Sequence, residues 1–271
     1  MAQTTNLSLN YGGTVQNSYI GTDTFTNLRN LSGAVDALGN TVFENSDSSN
    51  AIVSMIAIDT FSDNNREYYH NQWMFDFDLS SISTTITGLT LKLKGKTNGT
   101  VGDVGAGTTT MHDASIIILK SEHQDTPDLT DFNNFTGHTN GWGASDVTEF
   151  SSAFGPAAGG WSTSAYNEIT LNSDAISDAN TQKAAGNRFK MVCINKNRFY
   201  DNDTTNLGES TGTQNRDYFW VNMEVDTEND DPPILVVTHE DAPSPRDITG
   251  PLKIQAGGKF QISAGKLSIK T

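Results

Sequence analysis

The chain has 271 residues, of which 35% are apolar and 18% charged, with a formal net charge of −15. An acidic body repels phosphates and anionic lipids, which argues against nucleic acid and membrane insertion as partners. The apolar residues are few but clustered and periodic, so disorder is excluded and one large β domain with long polar loops is expected.

Residues 1–50 are polar and carry short predicted strands near Gln16–Ile20 and Thr41–Glu44. Ala51–Ile58 (AIVSMIAI) is a continuous apolar run, as in a central strand covered on both faces. In residues 72–95, Trp73, Phe75, Phe77 and Leu79 share one parity, and Met74, Asp76, Asp78 and Ser80 the other. Leu89, Leu91 and Leu93 then alternate with Thr90, Lys92 and Lys94. Two period-2 runs predict two strands, each with one buried and one wet face. Asn98–Thr110 reads as a Gly/Thr loop, and Ser115–Leu119 (SIIIL) as a buried strand.

Residues 121–165 have few strand signals, and a loop of this length usually makes contacts or carries function. Glu168–Leu171 is a predicted strand. Ser173–Ala185 is the one predicted helix, with Ser173 as its cap, Asp174 and Asp178 near its positive end and Gly186 ending it. Strands are predicted again at Arg188–Asn195, Asp217–Val225 and Ile234–His239. One helix among many strands points to an all-β antiparallel sandwich.

Residues 1–240 thus form the predicted sandwich domain, and 241–250 a Pro-rich linker. Residues 251–271 form a Gly-Lys tail with a short repeat: Gly250 to Ile254, Gly258 to Ile262 and Gly265 to Ile269. Each unit reads as a short strand turned by glycine, and three such strands are marginal alone. The tail is therefore expected to need a partner, whether the body, another subunit or copies of itself, through Leu252, Ile254, Lys259, Phe260, Ile262, Lys266, Leu267 and Ile269. From Arg246 to Thr271 there are five basic residues and one acid, a charge of +4 that leaves the rest at −19. A basic tail can dock on the acidic body of a neighbour; alternatively its lysines solubilise edge strands.

Cys193 is the only cysteine, so no internal disulfide forms, and a buried small hydrophobe is expected in that strand. The start, MAQTTNLSLN, lacks a basic n-region and an apolar h-region, so no signal peptide is predicted. Synthesis in a cytoplasm is expected, after which the protein stays there or leaves by lysis or inside an assembly. No apolar run approaches bilayer-spanning length.

Chemistry-bearing motifs are sparse. Gly208 to Gly212 (GESTG) matches a nucleophile-elbow pattern but sits in a polar loop without the strand–turn–helix context. His70, His112, His123, His138 and His239 have no metal-ligand spacing and read as surface or loop residues. Trp142, Trp161, Tyr166 and Trp220 have two readings: anchors that pin loops to the core, which is favoured, or a platform for stacking sugar rings. Asp201, Asp203, Asp226 and Asp230 lie in acidic runs. A solvated loop is the favoured reading there and calcium the alternative, since neither run fits an EF-hand. No acid/base pair or nucleophile rises above background, so a non-enzyme without a cofactor is expected.

The order hydrophobic–Phe–Asp–Leu–Ser in Phe77 to Ser80, followed by a second apolar strand, resembles the DNRLRE-type domain, a relative of carbohydrate-binding-module jelly rolls. Asp231 to His239 (DPPILVVTH) is similar to that family's closing strand, and Asn17 to Gly21 sits where its opening strand would start. Arg66 lies further upstream than the family's spacing. The resemblance spans roughly residues 10–240 and implies a jelly-roll scaffold, of a kind found in sugar-binding modules, adhesins and virion proteins; it also brings calcium-stapled loops to mind. Scaffold, missing leader, polar loops and repeat-bearing tail together look like a structural protein of a tailed-bacteriophage virion, on the capsid surface or a tail appendage. Its expected partners are other virion proteins or copies of itself. The alternative is a carbohydrate-binding module or adhesin that recognises a host glycan. An enzyme acting on polysaccharide comes third.

Overall fold

A computed structural model describes residues 2–21, 41–44, 55–60, 66–95, 115–125, 147–155, 160–162, 164–201, 215–218, 232–242, 259–263 and 266–270. The chain divides into two compact units, Met1–Glu240 and Asp241–Thr271.

In the first unit, four strands form one antiparallel sheet: β1 (Ala2–Ser8), β6 (Ile86–Lys94), β8 (Tyr166–Thr170) and β11 (Ile234–Glu240), in the order β1-β11-β6-β8. A second sheet runs through β2 (Tyr11–Gly21), β3 (Thr41–Glu44), β4 (Met55–Thr60), β5 (Arg66–Phe77) and β10 (Asn215–Tyr218), in the order β10-β4-β5-β2-β3. β5 pairs β2 along one edge; on the other it pairs β4 at its start and β9 (Phe189–Asn195) at its end. β7 (Ile116–Lys120) pairs β9 in turn. The four-stranded sheet packs on β5, β9 and β7, giving a mostly β, sandwich-like fold with one short α-helix among the described residues, α1 (Ser173–Ala185).

The core between the layers follows from alternation. Leu89, Leu91 and Leu93 of β6, Ile169 of β8, and Leu235 and Val237 of β11 face Trp73, Phe75, Phe77, Ile116, Ile118, Phe189, Met191 and Cys193. Lys92 and Lys94 on the other parity of β6 are half-buried, as expected. A bulge lies where Thr238 pairs Gly88 and His239 pairs Ile86. The extra residue, Thr87, lets both Ile86 and Leu89 face inward.

Three expectations are corrected. Met74 and Asp76 are fully buried, as is Gln72, so the end of β5 has no wet face. The reason is a second apolar cluster on the outer face of this sheet, where Met74 meets Ile117, Leu119, Val192 and Ile194 under Val147 and Tyr200. The continuous runs IIIL and MVCI are what strands covered on both faces look like. The cap of α1 is Asn172, one residue before Ser173, and its side chain accepts from the N–H groups of Asp174 and Ala175. The polar segment Ala2–Ser8, where no strand is predicted, is an edge strand whose every residue has a partner in β11. Polar β1 is stabilised through its ladder and Leu7, which packs on the core.

The predicted bounds of the helix and of Thr41–Glu44 coincide with α1 and β3, and Gly186 ends α1 with φ 74°. No helix among the described residues is long and apolar enough to cross a membrane. In the second unit, β12 (Lys259–Ser263) and β13 (Lys266–Lys270) form an antiparallel hairpin.

Candidate functional site

Side chains with charge and hydrogen-bonding capacity converge at one end of the sandwich. α1 ends at Gly186, whose N–H and that of Asn187 bond to Lys183 O (3.1 Å) and Gln182 O (2.9 Å). That C-cap turns the chain at once into β9, so Arg188 and Lys190 arrive on the outer parity with Val192. β9 pairs β5 with Asp76 opposite Lys190, which sets Asp76 on the same face. Lys120 ends β7, and residues 121–125 follow along the β9 edge. Together with α1 these elements bound a polar cleft of about 470 Å³, lined by Lys120, Asp125, Asp178, Gln182, Arg188 and Lys190 among others.

Each cation in the cleft has an acidic neighbour. Arg188 Nη1 donates to Asp76 Oδ2 at 3.1 Å. Lys190 Nζ donates to Asp125 Oδ1 at 2.8 Å and to the His123 carbonyl at 2.7 Å. Lys120 Nζ lies 2.8 Å from Asp178 Oδ1, which also accepts from Gln182 Nε2 at 3.2 Å. Burial pushes the Asp76 carboxyl above the ordinary range, against the opposing pull of Arg188. Asp125, in the open, is held low by its bond to Lys190. Behind the cleft, Ser121 Oγ and His123 Nδ1 are 2.7 Å apart, both residues buried. Burial and the nearby Lys190 push the His123 ring down to about 3. Ser121 Oγ also accepts the His123 N–H at 3.3 Å, in the loop whose His123 carbonyl receives Lys190.

His239, buried within β11, corrects the reading of the histidines as surface or loop residues, whereas His123 lies in the loop after β7, as read, but is buried there. His239 lies 3.0 Å from both Thr5 Oγ1 and Thr84 Oγ1, tying β1 to the turn before β6. The His70 side chain, His112, His138 and Gly208 to Gly212 lie outside the described residues. Cys193 is buried, and burial raises its thiol well above the usual range.

The aromatic candidates are placed in part. Trp161 is half-buried against the core, edge-on to Phe154 with ring centroids 6.1 Å apart. Tyr166 donates its hydroxyl to Pro232 O at 3.0 Å, and Lys94 Nζ sits 5.5 Å from its ring centre. These are contacts a loop anchor makes. Trp142 and Trp220 lie outside the described residues, as do Asp203, Asp226, Asp230, Leu252 and Ile254. Asp201 is exposed and pairs with Lys196. Among the described residues, no group of three or more His, Cys, Asp or Glu gathers as a metal site. Lys259, Phe260, Ile262, Lys266, Leu267 and Ile269 all fall on the β12–β13 hairpin.

The cleft was missed in the sequence because its members come from four separate segments. Only the acid on the wet parity of a strand at Asp76, and the closely spaced cations Arg188 and Lys190, hinted at it. No protein-family model matches the chain, and no curated protein matches it in sequence.

Proposed function

We propose that this chain is a non-enzymatic structural component of a tailed-bacteriophage virion, on the capsid surface or a tail appendage. In this reading the sandwich is a jelly roll of the DNRLRE type, and residues 241–271 attach it to other chains. The observation that carries the reading is the separate compact unit beyond the closing strand β11, which holds a β-hairpin and a charge of +4 from Arg246 onward against −19 elsewhere. A module that ends its fold and then adds a short cationic hairpin is organised for joining. Antibodies against the chain should decorate intact particles in electron micrographs of the lysate in which it is made. Label confined to the soluble fraction would overturn the reading.

A host-glycan-binding role is the second reading, and the polar cleft beside Arg188 favours it. Its lining offers charged donors and carboxylate acceptors, the groups that hydroxyl-rich ligands bond to. Binding on a glycan array that is lost in Arg188→Ala and Asp178→Ala would support it, and a blank array would remove it.

A further inference from the structure

Three cations reach the polar cleft, and their acidic partners are not equivalent. Asp76, which holds Arg188, is fully buried in β5. Asp178, which holds Lys120, is a largely covered residue of α1. Asp125, which holds Lys190, lies in the loop after β7 with its side chain 71% exposed. Of the three carboxylates, only that of Asp125 is displaced without unpacking the fold.

One donor edge is also left over. The bond to Asp76 comes from Nη1 of Arg188 alone, whereas a guanidinium carries five N–H donors in a planar fork. Among the described residues Arg188 has no other partner, and its part-exposed side chain lines the cleft. Arg188 and Lys190 are two positions apart on one face of the same extended segment, so ~7 Å separates their Cα atoms. A carboxylate set between them receives charge-assisted bonds from both.

The rest of the lining narrows the ligand further. Among the described residues it has no aromatic ring and no large apolar side chain, so stacking on the face of a neutral sugar is not available. Asp178, Gln182 and Asn187 offer carboxylate and amide groups to ring hydroxyls. The volume of about 470 Å³ suits a small ligand.

We propose that the cleft binds a carboxylate-bearing sugar, as found in uronic-acid polysaccharides, whose carboxylate replaces Asp125 on Lys190 and takes the spare edge of Arg188. The inference rests on the glycan-binding reading above and names the sugar class in it. The exchange puts one carboxylate where another stood, so the charge held by the cleft is unchanged. The chain's net charge of −15 opposes an anion mainly at long range, where salt screens it beyond ~8 Å.

The test is calorimetric titration of the full-length chain at neutral pH with galacturonate, glucuronate and mannuronate oligosaccharides, each beside its methyl ester. The ester keeps the ring hydroxyls and loses the charge. At least one acid should bind, roughly tenfold or more tightly than its ester. Arg188→Lys keeps a charge against Asp76 but lacks the fork, and should weaken binding on the order of tenfold. Asp125→Asn removes the internal competitor and should tighten it. Far-UV circular dichroism reports the fold of each variant, and if Arg188→Lys unfolds, the exposed Asp125→Asn decides. Affinity unchanged or lowered in Asp125→Asn would overturn the inference, as would a folded Arg188→Lys that binds like wild type. Acid and ester bound equally, or an array positive only for sugars without a carboxylate, would remove this inference and leave the glycan reading. No binding to any uronate and a blank array would remove both.

Discussion

Asp76 and Arg188 are 112 positions apart in the chain and meet at 3.1 Å across the junction of β5 and β9. The carboxylate is fully buried and the guanidinium side chain is 37% exposed. Among the described residues, the second oxygen of Asp76 has no hydrogen-bond partner. Arg188 therefore compensates a charge that the fold places away from water.

Arg188→Ala should cost on the order of 2 kcal/mol at neutral pH, less than the roughly 3–5 of a fully buried pair, because water screens the exposed guanidinium. Asp76 titrates above its ordinary range in the fold, so its ionisation disfavours folding. The group's contribution is most favourable below the unfolded carboxylate range and is lost as pH rises through the folded one. The Arg188→Ala penalty should consequently shrink in acid, and Asp76→Asn should remove that dependence. Urea unfolding at neutral and acid pH measures both; a loss equal at the two pH values would mean that Arg188 acts by packing alone.

His123 has the opposite sign. Its ring is held neutral in the fold down to about 3, against 6.5 for the free group. The unfolded chain takes up the proton first, so stability is full above 6.5 and falls as pH drops from there towards about 3. His123→Gln should flatten the stability curve in that window by a few kcal/mol, on the order expected for a shift of several units. Matching slopes for the two proteins would show that the ring is not held neutral.

Burial on both faces of β5 separates two substitutions. Phe77→Ala, in the main core, should cost about 3–5 kcal/mol. Met74→Asp, on the parity that alternation marks as wet, should cost at least about as much, because it places an unpaired carboxylate in the outer apolar cluster. A mild effect at Met74 would mean that the outer cluster is not closed.

The helix start offers a finer comparison. Asn172→Ala removes the acceptor for two N–H groups, and the bond from Asn172 Nδ2 to Glu149 O at 2.7 Å, so a loss of about 1–2 kcal/mol is expected. Ser173→Ala, within the helix, should stay within about 0.5 kcal/mol. Thermal unfolding of the two variants gives the order directly, and a reversed order would return the cap to Ser173.

Local periodicity by itself determined much of this protein. The alternation of Leu89, Leu91 and Leu93 with Thr90 and Lys92 fixed which face of β6 is buried, because side chains in a strand repeat every two residues. The limits of α1 were legible in Asp174, Asp178 and Gly186, although its cap is Asn172 and not Ser173, and the charge division between tail and remainder is a property of composition. Long-range pairing was not legible, since no local pattern encodes what lies opposite. Polar Ala2–Ser8 is a strand because β11 offers it a free edge. Met74 is buried because Ile117, Leu119, Val192 and Ile194 share its face under Val147 and Tyr200. The cleft exists because tertiary packing brings the ends of β5, β7 and α1 to the start of β9, where charges distant in sequence can neutralise one another.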